Sequence, residues 1–201
     1  KLGATLAEAL IAVNNLPVHG SFSHPPQNQR KQAIEDGWNK GKNHILPKPK
    51  TEQEQAQQEL AVADVYFFNK DYLQSLKIYN KWKNILDINQ QMYMGYMYMQ
   101  GVGGKIDYIS AAYWSKKAAE QNNVYAQYNL GVVYYNGGYG IIQDYNTAIY
   151  WFKKAAEQND ANAQQKLGYI YMSGDGVQKN YTTSAYWSKK AAEQNNVYAQ
   201  Y

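Results

Sequence analysis

Histidine is the side chain most often recruited for proton transfer and metal binding near neutral pH, and this chain has three, His19, His24 and His44. Their spacing matches no metal-ligand pattern, and loop imidazoles of this kind are usually just solvated. Cysteine is absent, which excludes a disulfide framework, a thiolate metal site and a cysteine nucleophile. The glycine-containing segments 101–107 (GVGGKID), 137–144 (GGYGIIQD) and 174–180 (GDGVQKN) follow helical patterns rather than strands, so they read as turns and not as dinucleotide loops. No nucleophile elbow or phosphate loop is present. Asp71, Asp144 and Asp175 are each accounted for by a cap or a turn, and Asp64 has no evident acidic partner. The chain is therefore expected to hold no catalytic residue, metal ligand or cofactor, and to be non-enzymatic.

The 201 residues carry 20 Lys+Arg against 16 Asp+Glu, a net charge of +4. With both signs interspersed, this is too mild a field to direct the chain to nucleic acid. The longest apolar stretch, residues 6–13, contains Glu8 and is far too short to cross a bilayer, so no membrane insertion is expected. Lys1 in place of an initiator Met fits an end left by removal of a secretion signal and equally one set by cloning, so the compartment stays open, with an exported, periplasmic location slightly favoured over a cytoplasmic one. Among the aromatic residues, 21 Tyr stand beside only 4 Phe, a surplus that calls for a structural explanation.

The elements that must position these residues come from a repeat. Residues 112–128 (AYWSKKAAEQNNVYAQY) recur identically at 185–201, and a related copy occupies 148–165. Aligned on the small residue that opens each unit, Ala126, Ala163 and Ala199 are separated by 37 and 36 residues, with Gln90 and Ala56 continuing the series backwards. In each unit a first helix is predicted from Ala126, Leu130, Gly131, Tyr134 and Gly137, from Ala163, Leu167, Gly168, Tyr171 and Gly174, and more loosely from Met94, Gly95, Tyr98 and Gly101. Glycine ends it, and a second helix opens after Asp107, Asp144 or Asn180, all good N-caps. The second helices carry Ala111, Trp114, Ala118 and Ala119, then Ala148, Trp151, Ala155 and Ala156, then Ser184, Trp187, Ala191 and Ala192. The extra residue of the middle copy falls in its loop, between Gly137 and Asp144.

A helix pair of this size cannot bury its apolar stripe alone, so neighbouring pairs must stack around a shared core. The expected fold is all-α, a right-handed α-solenoid of stacked antiparallel helix pairs. The pattern A-x-x-x-L-G-x-x-Y-x-x-G, followed by a cap and then (A/S)-x-x-W-x-x-x-A-A, resembles the Sel1-like repeat, a relative of the tetratricopeptide repeat. The resemblance divides the chain into an N-terminal helical cap and linker at 1–50, a degenerate tetratricopeptide-like unit at 51–87, and Sel1-like repeats at 88–123, 124–160 and 161–196. Residues 197–201 then start a further, truncated repeat. The array is expected to continue beyond Tyr201, and the apolar edge exposed there to self-associate.

Before the array, residues 2–13 read as an amphipathic helix and 17–29 as a Pro-rich loop, with a short helix near 30–39. Thr51 with Glu54 three residues later predicts a capping box. The N-terminal segment is read as a cap on the first unit, the alternative being a separate partner-binding arm.

The resemblance implies that the first helix of each unit lines a concave surface. Its positions there are Asn89, Met92, Tyr96 and Met99, then Tyr125, Tyr128, Val132 and Tyr135, then Asn162, Gln165, Tyr169 and Met172. All but Asn89, Asn162 and Gln165 are Tyr, Met or Val, although a solvated groove should be mostly polar. Tyr and Met suit interface anchors, so Met92, Tyr96, Met99, Tyr125, Tyr128, Tyr135, Tyr169 and Met172 are the candidate protein-binding residues. Curvature burying part of this set is the competing explanation. The Lys pairs 116–117, 153–154 and 189–190 recur near helix ends, where cations oppose the helix dipole; a basic ladder for an acidic partner is the alternative. The function implied is a bacterial protein–protein interaction scaffold. Exported Sel1-like proteins include immunity proteins that neutralise toxic effectors such as type VI lipases, so a toxin or effector is the sharper partner. A β-lactam- or peptidoglycan-interacting factor is the remaining reading, but the family members linked to β-lactams are rich in cysteine, and this chain has none.

Overall fold

The computed structural model describes residues 51–198, with side chains as far as Gln194. The three histidines and the readings made for residues 1–50 and 199–201 lie outside the described residues. The chain divides into two units, one ending at Ile85 and the other starting at Leu86. Among the described residues the regular structure is helical throughout, apart from one isolated bridge between Gly138 and Ile141.

The first unit holds α1 (Glu52–Phe68) and α2 (Tyr72–Lys81). The capping box is formed: the Glu54 N–H donates to Thr51 Oγ1 at 3.1 Å, and the Thr51 N–H donates to Glu54 Oε2 at 3.3 Å. Ala56, Leu60 and Ala63 are buried at the four- and three-residue spacing of one helical face. Asp64 has a partner that was not evident in the sequence, since the fully buried Tyr79 donates its hydroxyl to Asp64 Oδ1 at 2.6 Å. Trp82 stands where the other units have alanine. Its Nε1 donates to Glu59, which also receives Lys81 and Gln55. Burial pushes the Glu59 carboxyl up, but the hydrogen bonds from Lys81, Gln55 and Trp82 and the Lys81 charge outweigh it and hold the pKa below its ordinary value.

The second unit stacks three helix pairs. They are α3 (Ile88–Gln100) with α4 (Tyr108–Glu120), α5 (Val124–Asn136) with α6 (Tyr145–Glu157), and α7 (Ala161–Ser173) with α8 (Tyr181–Tyr198). Consecutive pairs join through α4 on α5 and α6 on α7. The second helices are capped as expected: Asp107 accepts from the Ser110 N–H, Asp144 from Thr147 and Asn180 from Thr183. The backbone N–H of each of these caps donates back to a tyrosine carbonyl of the first helix, Tyr98, Tyr134 or Tyr171, at 2.8–3.0 Å. The loop is thereby closed and the two helices are held in register.

The core is built from the small residues of the repeat. Ala126, Leu130, Ala148, Phe152, Ala155, Ala163, Leu167 and Ile170 have no exposed surface. Gly131 shows why the Leu-Gly step recurs. A Cβ there would lie 2.6 Å from Cδ1 and Cε1 of Phe152, so only a bare backbone lets the ring in. The equivalents of Phe152 in the outer pairs are Ser115 and Ser188. The tryptophans fill the layers unequally, with Trp114 buried and Trp151 and Trp187 half-buried.

A set of glutamines ties the two helices of each pair together and, through Gln127 and Gln164, one pair to the preceding one, which the spacing of the repeat did not reveal. Gln121, Gln158 and Gln194 donate through Nε2 to Oε1 of Gln91, Gln127 and Gln164 at 3.0, 2.8 and 2.8 Å. Gln127 and Gln164 are buried and pass their own Nε2 protons to the carbonyls of Ala119 and Ala156. A buried amide satisfied on both ends specifies a single register, because a slip would strand it without partners.

Candidate functional site

The first helices α3, α5 and α7 carry the candidate residues, and the structure treats them differently. Met92 and Met99 are 6% and 7% exposed. They are core residues, which corrects their placement on a binding surface. Helix α3 also buries Tyr93, Met94 and Met97, and a helix that is apolar nearly all round is an interior helix. Tyr96, Tyr128 and Tyr135 are half-buried, while Tyr125, Tyr169 and Met172 are exposed at 37%, 49% and 50%. The surface that remains is carried by α5 and α7.

Tyr135 is its centre. The ring lies edge-on to Tyr145 at 5.4 Å and packs on Phe152 at 6.4 Å, and its hydroxyl donates to Asp175 Oδ2 at 2.5 Å. Burial, followed by the Asp175 hydrogen bond and charge, pushes its phenol well above the ordinary range. Tyr128 lies two turns earlier on the same face, 5.8 Å from the Phe152 ring. Its phenol is also raised, first by burial and then by the Asp160 charge. These phenols are neutral hydrogen-bonding groups and not proton-transfer agents at neutral pH.

Two members of the site were not singled out from the sequence. Asp175 was read as a turn residue, yet it receives a hydroxyl forty positions away. Lys166 sits on α7 where the other repeats have Tyr93 and Asn129, both buried. Its Nζ lies 4.8 Å from the centre of the Tyr135 ring and 5.9 Å from that of Tyr169, which are cation–π distances. The departure from the repeat consensus at Lys166 was the available signal.

The lysine pairs have local roles. Lys117 lies over Tyr113 and Trp114, Lys154 over Tyr150, and Lys190 over Tyr186 and Trp187, each a ring on its own helix. Lys116 and Lys189 pair with Glu120 and Glu193 one turn on. Lys153 lies 5.9 Å from the centre of the Tyr171 ring on α7. Among the described residues no cluster of three or more His, Asp or Glu could hold a metal ion, and no helix is long and apolar enough to cross a membrane.

The Sel1 repeat family model matches residues 91–123, 124–160 and 161–196, just over half of the chain. The chain belongs to the Sel1 repeat family. A Sel1 repeat protein of Oxalobacter formigenes, known from a crystal structure, is 39% identical with a TM-score of 0.58, over 65% of this chain and 53% of that one. A protective antigen present in uropathogenic Escherichia coli strains and displaying an SLR fold is 25% identical with a TM-score of 0.64, over 96% of this chain and 39% of that one. A putative sel1-like repeat-containing protein of Acanthamoeba polyphaga mimivirus is 42% identical over 50 residues, which is 25% of this chain and 9% of the viral protein. This chain therefore spans about half or less of each of these relatives. Sel1 repeats are generally protein–protein interaction scaffolds and typically non-catalytic. Their repeat-defining residues, here Ala126, Leu130, Gly131 and their equivalents, are the buried ones, so any specificity must reside in the positions between them.

Proposed function

We propose that this Sel1 repeat chain is a non-enzymatic scaffold that binds a protein partner along the face carried by α5 and α7. One observation carries the reading: Tyr125, Tyr169 and Met172 are exposed on first helices whose remaining apolar residues are buried or half-buried. Large amphipathic side chains left in water on a rigid helix supply contact area at little entropic cost, as interface anchors do. The half-buried Tyr128 and Tyr135 back them with rings fixed against Phe152.

The test is affinity capture with the purified chain from a lysate and envelope fraction of its own organism, repeated with the Tyr125→Ala, Tyr169→Ala, Met172→Ala triple variant. The partner should be lost from the triple variant and kept by Tyr150→Ala, which removes an equally exposed tyrosine from a second helix. Retention by the triple variant together with loss by Tyr150→Ala would move the interface to the second helices. A single stoichiometric toxin among the captured proteins would narrow the scaffold to an immunity protein.

A further inference from the structure

Lys166 is a cation in an unusual setting. Its backbone position is buried in the two preceding repeats, where Tyr93 and Asn129 stand, and its ammonium lies within 6 Å of the ring centres of both Tyr135 and Tyr169. No carboxylate of the described residues forms an ion pair with it. The acidic member of the site, Asp175, receives the Tyr135 hydroxyl. The two rings fix the direction of the ammonium and shield part of it from water, which strengthens its attraction for an anion. Tyr169 and Met172 extend the same face as exposed apolar surface about one and two turns further along α7.

We infer that the α5–α7 face receives a peptide segment of the partner protein bearing an Asp or Glu side chain, whose carboxylate pairs with Lys166 while a neighbouring apolar side chain covers Tyr169 and Met172. Charge complementarity selects this occupant: the face offers one unpaired cation framed by aromatic surface, which an acidic residue beside an apolar one satisfies at both points. A basic segment would meet Lys166 with like charge, and a purely apolar one would bury the ammonium without a partner. This inference rests on the proposal that α5 and α7 carry the binding face, and it names the chemistry recognised there.

The experiment pans a phage-displayed library of random dodecapeptides on the 201-residue chain and measures the enriched peptides by isothermal titration. Enriched sequences should share an Asp or Glu beside an aromatic or aliphatic residue. Lys166→Gln should weaken them by about tenfold or more, the usual effect of losing one charge-assisted pair. Replacing the peptide's Glu by Gln should weaken them equally, with no further loss when both changes are combined, and Lys166→Arg should restore binding. Enriched peptides without an acidic residue, or unchanged binding by Lys166→Gln where Tyr169→Ala with Met172→Ala abolishes it, would overturn the carboxylate site and leave the binding face standing. Unchanged binding by both variants, or no enrichment at all, would overturn both. Circular dichroism of each variant verifies that the helices are intact, which these partly exposed positions permit.

Discussion

Residues 112–125 and 185–198 have one sequence and two backbones. In the first copy α4 stops at Glu120, Asn122 turns the chain at a φ of 68°, and Asn123 caps α5. In the second copy α8 runs unbroken from Tyr181 to Tyr198, straight through the same Gln-Asn-Asn. Features that span one turn are reproduced. The Tyr–Trp edge contacts are both 5.0 Å, the lysines sit 4.9 and 5.0 Å over their tyrosines, and the Lys–Glu pairs measure 3.8 and 3.9 Å. Coverage is what changes. Ala112, Ser115 and Ala119 are buried, whereas Ala185, Ser188 and Ala192 are exposed. Helix α4 packs on α3 and α5; among the described residues α8 packs on α7. The local interactions are a property of the sequence, and the turn is a property of a helix docked beside it.

The largest expected effect comes from placing one charge in both copies. Ala119→Asp buries a carboxylate at a site that is 2% exposed and should cost about 3 kcal/mol or more, because no partner compensates it. Ala192→Asp, the same change in the same local sequence, should stay within about 0.5 kcal/mol. Urea denaturation of the two variants separates them, and equal losses would break the comparison. Gly131→Ala is next, at about 1–3 kcal/mol, since the added methyl meets the buried Phe152 ring.

A pair of alanine substitutions at the turn should act with opposite sign. Asn122 holds a left-handed conformation and accepts hydrogen bonds from Gln127 and Gln158, each at 3.1 Å. Asn122→Ala should cost about 1–2 kcal/mol through backbone strain and lost bonds. Asn195→Ala, inside α8, should instead gain a few tenths of a kcal/mol from helix propensity, roughly the host–guest difference. Thermal melts followed at 222 nm give both signs. The smallest effect concerns Asp160, which caps α7 where Asn123 caps α5. Burial raises its carboxyl above the ordinary range against backbone hydrogen bonds from Ala163 and Asn162. With its folded pKa above the unfolded one, its ionised form costs stability at neutral pH, and that cost is relieved as pH falls through the folded pKa. Asp160→Asn should therefore match or exceed the parent at pH 7, by less than ~1 kcal/mol given that Asn and Asp cap alike. Its advantage should shrink as the pH is lowered, and an advantage that grew on acidification would show the sign to be wrong.

Much of the frame was legible in the residues. Asp107, Asp144 and Asn180 cap the helices they were expected to cap, because a side-chain oxygen and a backbone N–H three residues on meet whatever surrounds them. The Ala and Leu positions at helical spacing are the core. The candidate face was legible only in part. Periodicity says which side chains share a side of a helix, but not whether another helix covers that side, so Met92 and Met99 were grouped with Tyr169 and Met172 although the former are buried and the latter exposed. Asp175 was invisible as a partner of Tyr135 for the same reason: forty residues separate them, and no local rule relates positions so far apart. The glutamine ties within and between pairs escaped because Gln also suits a solvated helix surface.

By itself the sequence determined the helix pairs, their caps and the Tyr–Trp–Lys stacks on the second helices, all of which depend on groups within about one turn of each other. The tertiary structure decided which apolar residues face water and whether Gln-Asn-Asn turns or continues as helix. Fourteen identical residues cannot encode two outcomes. The turn forms where α5 docks and buries Ala126, Leu130 and Val133 completely, a gain of several kcal/mol at roughly 1.5–3 kcal/mol for a large apolar side chain. That exceeds the cost of about 1–2 kcal/mol for one residue in the left-handed region, so the neighbouring helix sets the backbone of this one.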